Sequence, residues 1–250
     1  MKRRLFASIS RTLYSFLPAR FTNDHLFLPT TGRWLWNESQ KIRQHTSKFD
    51  VKALKHVVAK TAGLEGQSSG VHLEKLAEGA SNRVIAATIR RQRFIVRIPD
   101  PVVPRRLVTA SEVATLEFLR AELGLPVPKV LAWNDSDDNA VGCEYMVMKE
   151  AAGQDLKSAW PSLGLNQRTA VVDQVITVQE RLLEASKTFH PYGSLYFADD
   201  AVKFNFPQQI AVSATTPSKF CIGPLAHEHF LITVLSNSRT DSGPCKSLLL

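Results

Sequence analysis

Leu76–Pro99 reads LAEGASNRVIAATIRRQRFIVRIP, and the alternation in this stretch decides the fold. Gly79, Ala80, Ser81 and Asn82 make a turn with almost no side-chain bulk. Val84 to Ile89 follows as a run rich in β-branched residues, Arg90 to Arg93 forms a charged turn, and Phe94, Ile95, Val96 and Ile98 make the next strand. A bulk-free turn between two strands lets backbone N–H groups approach an anion such as a phosphate. Arg97, a cation inside the third strand, would sit under that turn. Most small-residue turns between strands are plain hairpins, so the stretch alone predicts an antiparallel sheet and leaves the anion reading to its surroundings.

Working outward, Thr109-Ala110-Ser111-Glu112 opens a helical run in which Val113, Leu116 and Leu119 recur at helical spacing, with Ser111 as the expected N-cap and Gly124 as the stop. Leu125 to Pro128 breaks to an extended strand at Lys129–Trp133, a polar turn spans Asn134 to Asn139, and a further strand covers Cys143–Met148. Upstream, Phe49 to Ala62 is an amphipathic helix closed by Gly63, and Val71 to Leu76 is the first strand. Gly32 to Asn37 carries Trp34 and Trp36 and is expected to dock onto the sheet, because exposed tryptophan is costly. Downstream, Gln167 to Ser186 makes a long helix with Val171, Val172, Val175, Ile176, Val178, Leu182 and Leu183 apolar. From Ala211 onward the chain is polar and punctuated by Gly and Pro, which predicts loops.

Seven phrases in this order, EGASNRV, FIVRIPDPVVP, TASEVATLEFLR, LPVPKVLAW, GCEYMVM, PYGSLYF and FCIGP, resemble the aminoglycoside phosphotransferase family, whose fold is protein-kinase-like. Within it they are similar to the fungal mitochondrial group called altered inheritance of mitochondria protein nine. The resemblance runs from about Thr31 to the C-terminus and is strongest between Leu73 and Leu156. It implies an α+β fold: an N-terminal lobe of antiparallel sheet with one packed helix, and an incomplete helical C-terminal lobe. Residues 1–45 would be a transit peptide and extension, 46–150 the nucleotide lobe, and 151–250 the truncated start of the second lobe.

The resemblance also implies roles. Gly79, Ala80, Ser81 and Asn82, with Val84, would cover nucleotide phosphates; Arg97 would stand where the family carries a phosphate-touching lysine; Glu112 would pair with it; Met146, Met148 and Glu150 would belong to the hinge facing the adenine. Arginine for lysine is not a conservative change, since guanidinium is a planar fork. Without the resemblance, Arg97–Glu112 is an ordinary ion pair and the methionine alternation a plain sheet core.

Kinase-like transfer needs an Asp that orients the nucleophile, a nearby Asn and a second Asp for Mg²⁺. No H-x-D-x-x-x-x-N occurs here: His190 is followed by Pro191-Tyr192-Gly193, and His227-Glu228-His229 has the wrong neighbours. Asp173, Asp199, Asp200 and Asp241 also lack the required context. No catalytic residue and no metal ligand is therefore assigned, and ATP is expected to bind weakly. Three readings follow: an active small-molecule kinase, a non-catalytic kinase-like protein, and a fragment of an active ATP-dependent kinase. The last two fit equally well.

Composition sets further bounds. The 250 residues carry a net charge of +8, much of it at Lys2, Arg3, Arg4, Arg11, Arg20 and Arg33. Asp24 is the only acid before Glu38, and Leu5, Ile9, Leu13 and Phe16 recur at helical spacing. An Arg-rich, acid-poor amphipathic start suits a mitochondrial transit peptide; a basic helix lying on a membrane surface is the alternative. The remaining basic clusters, Arg90-Arg91-Gln92-Arg93 and Arg105-Arg106, are short and fall in turns, so no nucleic-acid partner is expected. Cys143, Cys221 and Cys245 are widely spaced, which argues against a disulfide framework. No apolar run is long enough to span a bilayer. The long helix at 167–186 should leave an apolar face uncovered and so offer a protein partner a surface.

Overall fold

The alternating stretch becomes three consecutive antiparallel strands. In the computed structural model, which describes residues 24–27, 35–38, 40, 42, 46–78, 82–100, 106–187, 192–206, 210–211 and 219–226, these are β1 (Val71–Glu78), β2 (Asn82–Ile89) and β3 (Gln92–Pro99). With β4 (Val130–Asn134) and β5 (Tyr145–Lys149) they form a five-stranded sheet of order β1-β2-β3-β5-β4, every pair antiparallel.

Register sorts the side chains onto two faces, because directly opposed residues share a face and neighbours along a strand do not. Ile85 opposes Val96, which opposes Val147, and Ala87 opposes Phe94. This face is the core: Val71, Leu73, Ile85, Ala87, Ile89, Phe94, Val96, Ile98, Tyr145 and Val147 are buried together with Leu54, Val58 and Ala59 of helix α1 (Val51–Thr61). Asp50 starts α1 by accepting from the backbone N–H groups of Lys52 and Ala53 at 2.7 and 2.9 Å. Gly63, at φ +70°, supplies the left-handed residue that ends it.

The expected docking of the Gly32–Asn37 segment is not what the structure shows. Leu35 and Trp36 are exposed, Trp36 by 80%, while Trp34 lies outside the described residues. Leu26 and Phe49 are buried in that core, Phe27 packs against it, and the rings of Phe27 and Phe49 meet at a tilt, 4.8 Å between centroids.

The second helix, α2 (Leu107–Ala121), begins earlier than the sequence suggested. Ser111 is buried inside it and caps nothing; the cap position is Arg106, at φ 70°. Two helices follow, the short α3 (Leu156–Ala159) and the long α4 (Leu165–Ser186), which spans the run predicted for it. None of the α4 residues is buried, and Leu165, Val172, Val175, Ile176, Leu182 and Leu183 are exposed.

The loops expected after Ala211 are also corrected. Beyond β6 (Ser194–Phe197) and the short α5 (Ala198–Lys203) come β7 (Ile210–Ala211) and β8 (Phe220–Gly223), making a three-stranded sheet of order β6-β8-β7. PYGSLYF and FCIGP, far apart in sequence, thus become paired strands, with Tyr196 opposite Cys221 and Phe197 opposite Phe220. Every residue of β8 is buried, so a four-residue run escapes the alternation by which strands are recognised. This second sheet packs on α2: Phe118 meets Phe220 edge-on at 5.4 Å, and Ala110 is buried with Tyr196, Ala201 and Cys221. Helix α2 is therefore held between two sheets. Among the described residues, no helix is long and apolar enough to cross a membrane.

Candidate functional site

The face of the large sheet opposite α1 collects half of the candidate residues. Val84 opposes Arg97, which opposes Met146, which opposes Trp133. One step along, Ala86 opposes Ile95, which opposes Met148. Asn82 stands two residues before Val84 on β2 and belongs to the same face. Register alone thus brings together Asn82, Val84, Arg97, Met146 and Met148.

Helix α2 crosses the Arg97 end of this face. Glu112 projects from its second turn, and Arg97 Nη2 donates to Glu112 Oε1 at 2.7 Å. The pair is partly open, with side chains 28% and 33% exposed. Burial raises the Glu112 carboxyl above its ordinary range, and the charge and hydrogen bond of Arg97 offset this only in part. A guanidinium has five N–H donors, so one bond to Glu112 leaves capacity for an anion.

The other candidates are placed less tightly. Gly79, Ala80 and Ser81 lie outside the described residues. Met146 is buried, whereas Met148 beside it keeps some exposed surface. Glu150 lies past the end of β5, exposed and paired with Arg93 at 3.0 Å, away from Arg97.

Several residues near this face escaped the sequence reading. Ile95 and Trp133 are added by register. Glu144 is the more consequential: it is 6% exposed and reaches the start of α2, where Oε1 accepts from the Arg106 N–H at 2.8 Å and Oε2 from the Thr109 hydroxyl at 2.6 Å. Its position two residues before Met146, at the entry to β5, was the available signal.

Among the described residues, Cys143 lies in the core beneath α1 and Cys221 in the core shared with α2. Burial pushes the Cys143 thiol up to about 12 and the Cys221 thiol up to about 11, so neither is a thiolate at neutral pH. Asp200 is buried in α5 with its carboxyl raised chiefly by burial. Its neighbour Asp135 accepts from Lys203 at 2.6 Å. Among the described residues, no group of three or more His, Cys, Asp or Glu side chains could hold a metal ion.

Known proteins share this sequence pattern. The profile of the phosphotransferase enzyme family (APH) matches residues 72–198, just over half of the chain. A subtelomeric hrmA-associated cluster protein of Aspergillus fumigatus is 36% identical over 176 residues, covering 70% of this chain and 33% of its own length. The protein named altered inheritance of mitochondria protein 9, mitochondrial, is 27% identical over 248 residues in Candida dubliniensis, covering 83% of this chain and 39% of its own length. In Komagataella phaffii the protein of that name is 26% identical over 260 residues. The chain spans about a third to two-fifths of the length of these curated relatives. Among solved structures, aminoglycoside phosphotransferase APH(4)-Ia aligns over 52% of this chain and 38% of its own at 18% identity, with a TM-score of 0.35. With the family match covering residues 72–198, more than half of its length, the chain belongs to the phosphotransferase enzyme family.

Proposed function

We propose that this chain is the nucleotide-side lobe of a mitochondrial phosphotransferase-like protein, in which Arg97 receives a nucleotide phosphate. The observation that carries this reading is the Arg97–Glu112 pair on a sheet face shared with Val84, Met146 and Met148. A partly open guanidinium offers a phosphate directed N–H donors, and the apolar residues beside it suit a purine. Asn82 and the turn at Gly79–Ser81 would lie over the phosphates. ATP should bind, but weakly, because one cation neutralises little of a triphosphate.

The 250 residues contain no H-x-D-x-x-x-x-N, so by themselves they lack the carboxylate that orients a nucleophile and the Asp that holds Mg²⁺. No phosphoryl transfer is expected from this polypeptide alone. The exposed apolar face of α4 would then meet a protein surface. A second reading, one lobe of a longer ATP-dependent small-molecule kinase, is favoured by the same uncovered face. Genomic sequence downstream of the Leu250 codon separates the two: an in-frame or intron-separated H-x-D-x-x-x-x-N supports the second, and its absence the first.

Calorimetric titration with ATP tests the binding claim. The wild-type chain should bind with a dissociation constant of about a millimolar, and Arg97→Ala should remove the signal; equal binding by both would refute the role of Arg97. The mitochondrial location rests on the Arg-rich start and on the relatives' names. The first forty residues fused to a fluorescent reporter should mark mitochondria, and a diffuse signal would refute the assignment.

A further inference from the structure

Glu112 can serve Arg97 only if α2 keeps its place along the sheet, and one buried carboxylate sits where that place is set. Arg106, just before α2, has φ 70°, a conformation that disfavours residues with a Cβ and persists only when the surroundings impose it. Glu144 supplies the constraint. Its two oxygens accept separately from the Arg106 N–H and the Thr109 hydroxyl, so one side chain just before β5 satisfies two donors at the entry to the helix. A carboxylate at that position also faces the positive end of the helix dipole. Glu144 precedes Met146, the residue opposite Arg97. Both partners of the Arg97–Glu112 pair are therefore referred to the same strand, one by register and the other through Glu144.

We propose that Glu144 is a positioning residue, anchoring the first turn of α2 to β5 so that Glu112 meets Arg97. The proposal rests on the reading of Arg97 as the phosphate cation, and its test separates the two. The variants are Thr109→Val, which removes one donor without altering charge, and Glu144→Gln, which keeps the shape. Asp50→Ala serves as control, since it removes a cap of the same kind from α1 on the opposite face.

Two quantities are read on the full chain: the NMR titration of the Glu112 carboxyl and the dissociation constant for ATP. In Thr109→Val and Glu144→Gln a loosened α2 exposes Glu112, so its titration should move down toward 4.5 and ATP should bind about fivefold more weakly. Asp50→Ala should lower overall stability and leave both readings in place. If Thr109→Val and Glu144→Gln lower stability as the control does but leave the Glu112 titration unmoved, Glu144 is only a structural cap and the proposal is overturned. If the titration moves while the wild-type chain binds no ATP, the phosphate reading falls and the positioning role stands.

Discussion

In the proposed reading Arg97 takes the place of a phosphate-touching lysine. Arg97→Lys should retain ATP binding to within about threefold, because the charge survives and only the planar fork is lost; isothermal titration measures it, and complete loss would mean that the fork itself is required. Glu112 makes a pH prediction of definite sign. Its folded carboxyl binds a proton more tightly than the unfolded one, so its contribution to stability is greatest below 4.5, declines as pH rises through the raised value, and is flat beyond. Thermal midpoints of wild type and Glu112→Gln, compared between about pH 4 and pH 7, should therefore shift against the wild type as pH rises; a difference that stays constant would show Glu112 unperturbed. Residue identity at this site was largely legible. A cation on an alternating strand and a carboxylate on the next helix are both visible in FIVRIP and TASEVATLEF. Glu144 was not, because its hydrogen bonds join residues remote in sequence, and a local rule assigned the cap to Ser111.

At the scale of elements, each helix depends on different contacts. Leu54 and Val58 are fully buried between α1 and the sheet, so Leu54→Ala should cost about 2–5 kcal/mol in urea unfolding. A loss near zero would mean that α1 does not close the core. The second sheet depends on close approach. A Cβ at Gly193 would run into the Gly223 carbonyl oxygen and the Ile222 side chain, and one at Gly223 would meet the Phe206 ring at 2.6 Å. Gly193→Ala should destabilise by about 1–3 kcal/mol, with hydrogen exchange rising first in β6 and β8. Glu117 links α2 to that sheet: its carboxyl is lowered first by a hydrogen bond from Arg120 and further by Lys219, just before β8. Its contribution is present above 4.5 and lost as pH falls through the lowered value, opposite in direction to Glu112. The five-stranded sheet was readable because its strands alternate. The second sheet was missed because β8 is fully buried and sits between Lys219 and Pro224, so its FCIG resembles a short apolar spot in a loop.

Across the whole molecule, the two sheets enclose α2, while α4 presents apolar side chains to solvent. Val175→Lys and Ile176→Lys together should reduce self-association without changing thermal stability, because neither side chain is in a core. Sedimentation at increasing concentration checks this, and a fall in thermal midpoint would show that α4 is packed in solution. Sequence periodicity fixed the extent of α4 but could not show what it packs against, since an apolar stripe records a demand for burial and not the partner that meets it. On the large sheet, Arg97 lies across from Met146 and near Met148 on one face. Methyl-labelled methionine makes both residues reporters, and an ATP titration followed on these methyl signals, with and without Mg²⁺, tests the account directly. Both signals should shift with a dissociation constant of about a millimolar, nearly unchanged by Mg²⁺, and neither should respond in Arg97→Ala. Micromolar binding that requires Mg²⁺, or methyl shifts that persist in Arg97→Ala, would contradict the account.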